Sequence, residues 1–356
     1  MNDEYWMNAA IQLAEKGLSG ASPNPMVGCV LVRQGKLVGQ GYHKMFGGPH
    51  AEIHALKNAG ARAKGADLYV NLEPCCHWGK TPPCTDAIIK AGVRKVVSAM
   101  PDPNPLVRGK GFQKLRQAGI KVTIGTGRKA AENLNRSFVK YMTRHKPYVT
   151  LKSAFSLDGK IAAVSGQSQW ITSPQSRKYS WNLRTQSDAI LVGAETVRRD
   201  NPSLTSHGQG RYPARVVVTS TDNLNPRANI FNGQSPAWIF CSIPPGKPRT
   251  ANAEWIHLPA GKNRRIALDV LLKELARRGI SRLLVEGGGE TSAQFIESKE
   301  ADEIIYFIAP KLIGGRAAKT AIEGNGIRKL ADAVNVVNVS VERAGPDLVI
   351  RGQVSH

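Results

Sequence analysis

The 356-residue chain has no stretch of about 18 or more uninterrupted apolar residues, so no helical membrane span is expected. Its opening residues, Met1-Asn2-Asp3-Glu4, are acidic and lead into no long apolar segment, so no signal peptide is expected there. Cysteine is scarce. Five residues, an odd number, exclude a disulfide scaffold and make reduced thiols in a cytosolic, cytoplasmic protein the default. There is no internal repeat, no low-complexity tract and no Lys/Arg block of the kind that forms a disordered nucleic-acid tail. Acidic residues are few: 27 Asp and Glu stand against 49 Lys and Arg, a formal charge of +22. Such a protein attracts anions, and nucleic acid and phosphorylated small molecules are the two candidate classes.

What is present fits about two domains. Residues 1–145 hold 21 basic and 9 acidic side chains (+12), and residues 146–356 hold 28 and 18 (+10). The charge is therefore spread over both halves. The first half reads as a helix from about Asp3 to Gly17, two strands joined at Gln34-Gly35, a helix from His50 to Ala59, and then alternating strands and helices. The second half starts afresh near His145 to Pro147 with "KPYVTLKSAF" and alternates again, with "DAILVGAETVRRD" and "SRLLVEGGGETSAQF" as strand-to-helix units. Two α/β domains, 1–145 and 146–356, are expected.

Three cysteines, Cys75, Cys76 and Cys84, crowd into ten residues, whereas Cys29 and Cys241 lie in apolar runs and read as core. With His50 in "GGPHAEIHAL", Cys75 and Cys84 make one imidazole and two thiolates, the donor count of a catalytic zinc that keeps one position open. Cys84 opens a helix, where the dipole favours thiolate. Glu52, two residues after His50, is not needed as a ligand and suits a proton carrier beside a metal that lowers the pKa of water. Adjacent Cys75 and Cys76 can share one zinc only with strain, so Cys76 is set aside. A closed structural zinc site, completed by His77 or Cys76, is the alternative and leaves Glu52 unexplained. His-x-Glu followed by Pro-Cys is the zinc-deaminase pattern, although eight residues separate Cys75 and Cys84 here instead of two.

That longer loop, "HWGKTPPC", together with "SPNPMVGCV", "GYHKMFGGPHAE" and "PDPNP", resembles the deaminase domain of the bifunctional riboflavin-biosynthesis deaminase–reductase family. The resemblance implies a cytidine-deaminase-like three-layer α/β domain, with Asn24, His43, His77, Lys80 and Asn104 as substrate contacts. Lys80 is suited to a phosphate as a point charge.

In the second half, Glu286-Gly287-Gly288-Gly289 between a strand and a helix offers backbone amides to a phosphate. A plain tight turn is an equal reading, and the pattern is not a Rossmann fingerprint. Taken with "TLKSAFSLDGKIA", "SQWITS" and "VRRDNPSLT", it resembles the reductase domain of the same family. The resemblance implies a dihydrofolate-reductase-like fold and NADPH as cofactor. It places Ala154, Trp170, Thr196, Asp200 and Ser220 along the cofactor, and Gly288, Gly289, Glu290 and Thr291 on its pyrophosphate. Ser168, Arg184, Leu204 and Glu286 then face the substrate, with Lys152 beside the reacting ribose carbon. Where the family carries an arginine on the substrate phosphate, this sequence has His207, with Arg211 or Arg215 as candidate substitutes and a different phosphate grip as the alternative.

The expected activity is hydrolytic deamination of 2,5-diamino-6-ribosylamino-4(3H)-pyrimidinone 5′-phosphate, then NADPH-dependent reduction to 5-amino-6-(5-phosphoribitylamino)uracil. The expected partner is this phosphorylated small molecule, with no nucleic acid and no membrane, in a homodimer or homotetramer as relatives suggest. Two alternatives are a nucleic-acid-editing zinc deaminase, which the charge suits, and a zinc-stabilised binding protein with a degenerate reductase domain.

Overall fold

The computed structural model describes residues 2–221, 223–233, 235–244, 250, 252–261 and 265–356. The chain forms two compact units, Met1–His145 and Lys146–His356.

The first unit runs α1 (Asp3–Glu15), β1 (Gly28–Arg33), β2 (Lys36–Tyr42), α2 (Ala51–Ala59), β3 (Asp67–Val70), α3 (Cys84–Lys90), β4 (Lys95–Ser98), α4 (Lys110–Gln117), β5 (Lys121–Ile124), α5 (Arg128–Leu134) and α6 (Arg136–Arg144). Its sheet has the order β2-β1-β3-β4-β5. The hairpin β1–β2 and the pair β1–β3 are antiparallel, while β3, β4 and β5 are parallel. Neighbouring residues of a strand face opposite sides of a sheet, so close packing at two glycines locates the layers. A Cβ on Gly28 would meet the carbonyl of Ala10 in α1 at 2.0 Å, and a Cβ on Gly41, the partner of Cys29, would meet His54 and Ala55 of α2 at 2.5 and 2.6 Å. The two helices therefore cover opposite faces, which makes three layers. Glycine lets α2 settle onto β2, and α2 carries His50 and Glu52 at its start. The basic segment after β5 breaks into α5 and α6 at Asn135. The side chain of this buried residue accepts from the Met26 N–H (2.8 Å) and donates to the Met26 carbonyl (2.9 Å).

The second unit runs β6 (Tyr148–Ser156), α7 (Pro174–Thr185), β7 (Ala189–Gly193), α8 (Ala194–Asp200), β8 (Ala214–Thr219), β9 (Ala237–Cys241), β10 (Glu254–His257), α9 (Leu268–Arg277), β11 (Arg282–Val285), α10 (Gly289–Glu297), β12 (Glu303–Ala309), β13 (Asn335–Ala344) and β14 (Asp347–Ser355). One nine-stranded sheet has the order β10-β9-β8-β7-β11-β6-β12-β14-β13. It is parallel from β10 to β12 and antiparallel at β12–β14 and β14–β13. The central strands are almost wholly buried, as parallel strands covered on both faces are. The carboxyl ends of β7 and β11 open into α8 and the glycine-rich turn, the customary ligand-binding edge of such sheets. The sequence reading assigned no element to 174–185. Here α7 begins at Pro174 after Ser173, whose hydroxyl accepts from the Ser176 N–H at 3.3 Å.

Candidate active sites

In the first unit, three chain segments bring soft donors to one point. His50 is the extended residue just before α2, Cys75 follows β3, and Cys84 is the first residue of α3. His50 Nδ1 lies 3.5 Å from Cys75 Sγ and 3.3 Å from Cys84 Sγ, and the three donor atoms all lie within 4.8 Å of one another. The Cys84 N–H donates to Cys75 Sγ at 3.3 Å. A hydrogen bond from Cys84 draws the Cys75 thiol down to about 4, with His50 adding to the effect, while the Cys84 thiol is pushed up by the same partnership. An imidazole and two sulfurs with that bias fit zinc. Cys76 lies outside this group and is partly buried; Cys29 and Cys241 are core.

Glu52, in the first turn of α2, is 3% exposed. Burial pushes its carboxyl up to about 7 against the opposing charge of His50. It lines a cavity of about 330 Å³ together with His50 and Cys75. Asn24, His43, His77, Lys80 and Asn104 line the same cavity. His43 Nδ1–H donates to the Pro49 carbonyl (3.1 Å), which leaves Nε2 to accept from the Asn24 amide (3.1 Å). Burial lowers the His43 pKa, so the ring is held neutral in this tautomer. Lys80 Nζ sits 3.8 Å from the centre of the Phe46 ring, with no carboxylate partner among the described residues. His77 Nδ1 is buried without a hydrogen-bond partner.

Two carboxylates were not singled out from the sequence. Glu73 is buried, and its oxygens accept from the backbone N–H groups of Asp102, Gly109, Gly111 and Phe112 at 2.9–3.3 Å. It pins the loop that carries Asn104. Asp102 lines the cavity, and burial pushes its carboxyl to about 7. The available signals were an acid inside the apolar "YVNLEPCC" and another inside "PDPNP".

In the second unit Glu286 follows β11 at the strand's carboxyl end. Arg184, on α7, donates to both its oxygens, Nε and Nη2 each at 2.9 Å, and Lys152 Nζ on β6 lies 3.9 Å away. Burial raises the Glu286 pKa, but the charges of Arg184 and Lys152 outweigh it and hold the carboxyl at about 2. Burial lowers the Lys152 pKa, with Glu286 opposing. Arg184 Nη1 also donates to the Thr205 carbonyl at 2.9 Å.

Three depressions adjoin. The largest, about 550 Å³, is lined by Lys152, Ala154, Trp170, Arg184, Leu204 and Glu286. It shares Ser168, Thr196, Asp200 and Gly288 with a second of about 290 Å³, which adds Gly289, Glu290 and Thr291. Ser220 lines a third, about 250 Å³, that shares Glu290 and Thr291 with the second. The Ser168 hydroxyl donates to Asp200 at 3.0 Å. Gly288 precedes α10 without a side-chain cap, and a Cβ there would meet nothing within 4 Å.

The substitutes considered for His207 need correction. Arg215 is 1% exposed and donates to the carbonyls of Asn232 (2.9 Å) and Ser235 (2.5 Å), so it faces the interior. Arg211 pairs with Asp188 at 2.9 Å. His207 itself lines the largest depression and rests on Trp181, ring centres 4.4 Å apart. Burial, with the nearby charge of Arg184, lowers its pKa. The sequence reading also passed over Arg177 and Trp181. Both line this depression, and with Arg184 they recur at i, i+4 and i+7 on α7.

The family model described as "RibD C-terminal domain" matches residues 147–350, and that described as "Cytidine and deoxycytidylate deaminase zinc-binding region" matches residues 1–100. The riboflavin biosynthesis protein RibD of Bacillus amyloliquefaciens is 42% identical over 351 residues, covering 97% of this chain and 95% of that one. The Escherichia coli protein of the same description is 41% identical over 364 residues, covering 98% and 99%. Among solved structures, Acinetobacter baumannii RibD matches with a TM-score of 0.91 at 37% identity. A Thermotoga maritima diaminohydroxyphosphoribosylaminopyrimidine deaminase/5-amino-6-(5-phosphoribosylamino)uracil reductase matches with 0.88 at 35%. Each covers 99% of both chains.

Proposed function

The chain belongs to the RibD family of riboflavin-biosynthesis proteins, and from that premise we propose which of its residues carry the family's two reactions. It is a bifunctional enzyme, a zinc-dependent pyrimidine deaminase and an NADPH-dependent reductase. A diaminohydroxyphosphoribosylaminopyrimidine loses an amine by hydrolysis, and the ribosyl chain of the resulting 5-amino-6-(5-phosphoribosylamino)uracil is then reduced. The nucleic-acid-editing and binding-protein readings are not favoured, since the full-length relatives are riboflavin-biosynthesis proteins.

We assign deamination to residues 1–145 and reduction to residues 146–356. His50, Cys75 and Cys84 would hold zinc, which supplies Lewis acidity and an activated water near neutral pH. Glu52 has a carboxyl balanced near neutrality, so it can relay the two protons of the attacking water, one to the ring nitrogen and one to the departing amine. His43, fixed as the neutral tautomer by Pro49 and Asn24, presents no charge to an uncharged ring. Lys80 faces the substrate phosphate, and Asn24, His77 and Asn104 offer hydrogen bonds to the pyrimidine and sugar.

In the second unit NADPH supplies a hydride when bound. The uncapped N-terminus of α10, from Gly288 to Thr291, suits its pyrophosphate. Ala154, Trp170, Thr196, Asp200 and Ser220 continue the cofactor tract. Glu286 stays ionised and aligns Arg184 and Lys152, whose charges face the sugar carbon that accepts the hydride. Ser168 and Leu204 complete the substrate wall. The carrying observation is that the zinc-type donor set and the Lys152–Glu286–Arg184 cluster lie in different compact units. In the same proposal the enzyme works in the cytoplasm as a homo-oligomer, a setting that suits its free thiols.

Chelation of zinc tests the division directly. It should stop ammonia release and leave NADPH-dependent reduction of supplied 5-amino-6-(5-phosphoribosylamino)uracil intact. Loss of both activities, or of neither, would overturn the assignment.

A further inference from the structure

The reductase depression must hold an anionic substrate, and its cations can be inventoried. Lys152, Arg177, Arg184 and His207 line it. Arg184 and Lys152 share Glu286. His207 is stacked on Trp181, and burial beside Arg184 disfavours its protonation. Arg177 is different: among the described residues it has no carboxylate partner. Its guanidinium lies 4.5 Å from the centre of the Trp170 ring, and Nη1 donates to the Thr172 carbonyl at 3.0 Å. An aromatic face and a carbonyl position a guanidinium without cancelling its charge.

Arg177, Trp181 and Arg184 occupy one helical face of α7 at i, i+4 and i+7, and all three line the depression. Seven residues of helix rise about 10 Å, so the unneutralised charge stands two turns from the Arg184–Glu286–Lys152 cluster. A pentose 5′-phosphate whose reacting carbon lies at that cluster is long enough to reach towards the Arg177 end of this face. Trp181 and His207 form an uncharged wall between the two ends. Arg211 and Arg215 are committed elsewhere.

We propose that Arg177 takes the substrate phosphate in the reductase site, so that it sets the preference of this reaction for a phosphorylated sugar. This rests on the assignment of reduction to the second unit. A guanidinium is suited to the role because its fork of donors matches two phosphate oxygens.

The experiment compares wild type with Arg177→Gln and Arg177→Lys in the full-length enzyme. NADPH oxidation is followed with 5-amino-6-(5-phosphoribosylamino)uracil and with its dephosphorylated counterpart. The reading is the ratio of the two kcat/KM values, and NADPH affinity is measured in parallel by tryptophan fluorescence. Arg177→Gln should shrink that ratio about 10- to 100-fold, the effect of a lost charge-assisted hydrogen bond. Arg177→Lys should retain part of it. Urea unfolding of the second unit, compared with wild type, reports that each variant is folded. An unchanged ratio would overturn the proposal. That holds if both substrates and NADPH affinity decline together, which would make Arg177 a support for Trp170. It holds equally if nothing changes. A wild-type ratio near one would instead refute phosphate recognition in this depression altogether, and an absence of reduction would refute the assignment beneath it.

Discussion

Replacing Glu52 by glutamine keeps the shape of the side chain and removes its capacity to carry a proton. Glu52 is 3% exposed, so bulk water has little access to take over the transfer. A positioned general acid–base group is worth about 10²–10⁴ in rate, so ammonia release should fall by at least about a hundredfold. Zinc content should persist, because the donor atoms belong to His50, Cys75 and Cys84. Reduction of supplied 5-amino-6-(5-phosphoribosylamino)uracil should continue at the wild-type rate, since its groups lie in the second unit. The same variant has a stability consequence in metal-free protein. Burial raises this carboxyl from 4.5 to about 7, so ionising it opposes folding. The cost is full above pH 7, shrinks as pH falls, and vanishes below the unfolded value. Glutamine removes it, so metal-free Glu52→Gln should be more stable than wild type at pH 8 by up to about 3 kcal/mol, with no advantage at pH 4. The assays are colorimetric ammonia release, loss of NADPH absorbance and urea unfolding after chelation. Deamination within tenfold of wild type, or loss of reduction along with it, would refute the reasoning.

Four further outcomes follow from the second unit. Arg184→Ala strands the buried Glu286 carboxylate and should cost about 3–5 kcal/mol of that unit's stability in urea while ammonia release continues; wild-type stability would contradict the ion-pair geometry. Glu286 is held at about 2 against an ordinary 4.5, so its contribution of about 3 kcal/mol is complete above pH 4.5 and lost as pH falls towards 2. Urea midpoints of Glu286→Gln should lack that segment of pH dependence, and an identical slope would remove the pair from the account. Gly288→Ala should fold normally but bind NADPH more weakly, because its methyl group projects into open space that the pyrophosphate needs. Gly289→Ala should instead lower thermal stability by about 1–3 kcal/mol, since its methyl group meets the Thr320 carbonyl at 2.4 Å. Wild-type NADPH affinity in Gly288→Ala would misplace the pyrophosphate.

Much of this was legible in the chain because the signals were local. Rare residue types at fixed spacings exposed His50, Cys75 and Cys84, and strand-to-helix alternation bounded by glycine exposed the α/β layers. Other features depended on contacts that leave no local trace. β6 opens the second unit yet lies between β11 and β12, more than a hundred residues further on. α7 escaped notice because its buried positions are mostly Ser176, Ser180 and Thr185 in place of an apolar stripe. Glu73 gains its role from four backbone N–H groups, three of them supplied by residues 36 to 39 positions away. Arg215 looked available by its place in the sequence, but its side chain turns inward to two loop carbonyls. The charge of +22 divides into two anion-handling halves, with the many exposed lysines and arginines of the helix surfaces making up the rest.

The claim of two successive reactions on one chain is tested most directly by stoichiometry. Purified, zinc-loaded enzyme is given the diaminohydroxyphosphoribosylaminopyrimidine with and without NADPH, and ammonia and NADPH are counted in the same sample. With NADPH, one ammonia should appear for each NADPH consumed. Without it, ammonia should still appear while 5-amino-6-(5-phosphoribosylamino)uracil accumulates. NADPH consumption without ammonia, or ammonia release that requires NADPH, would contradict the account.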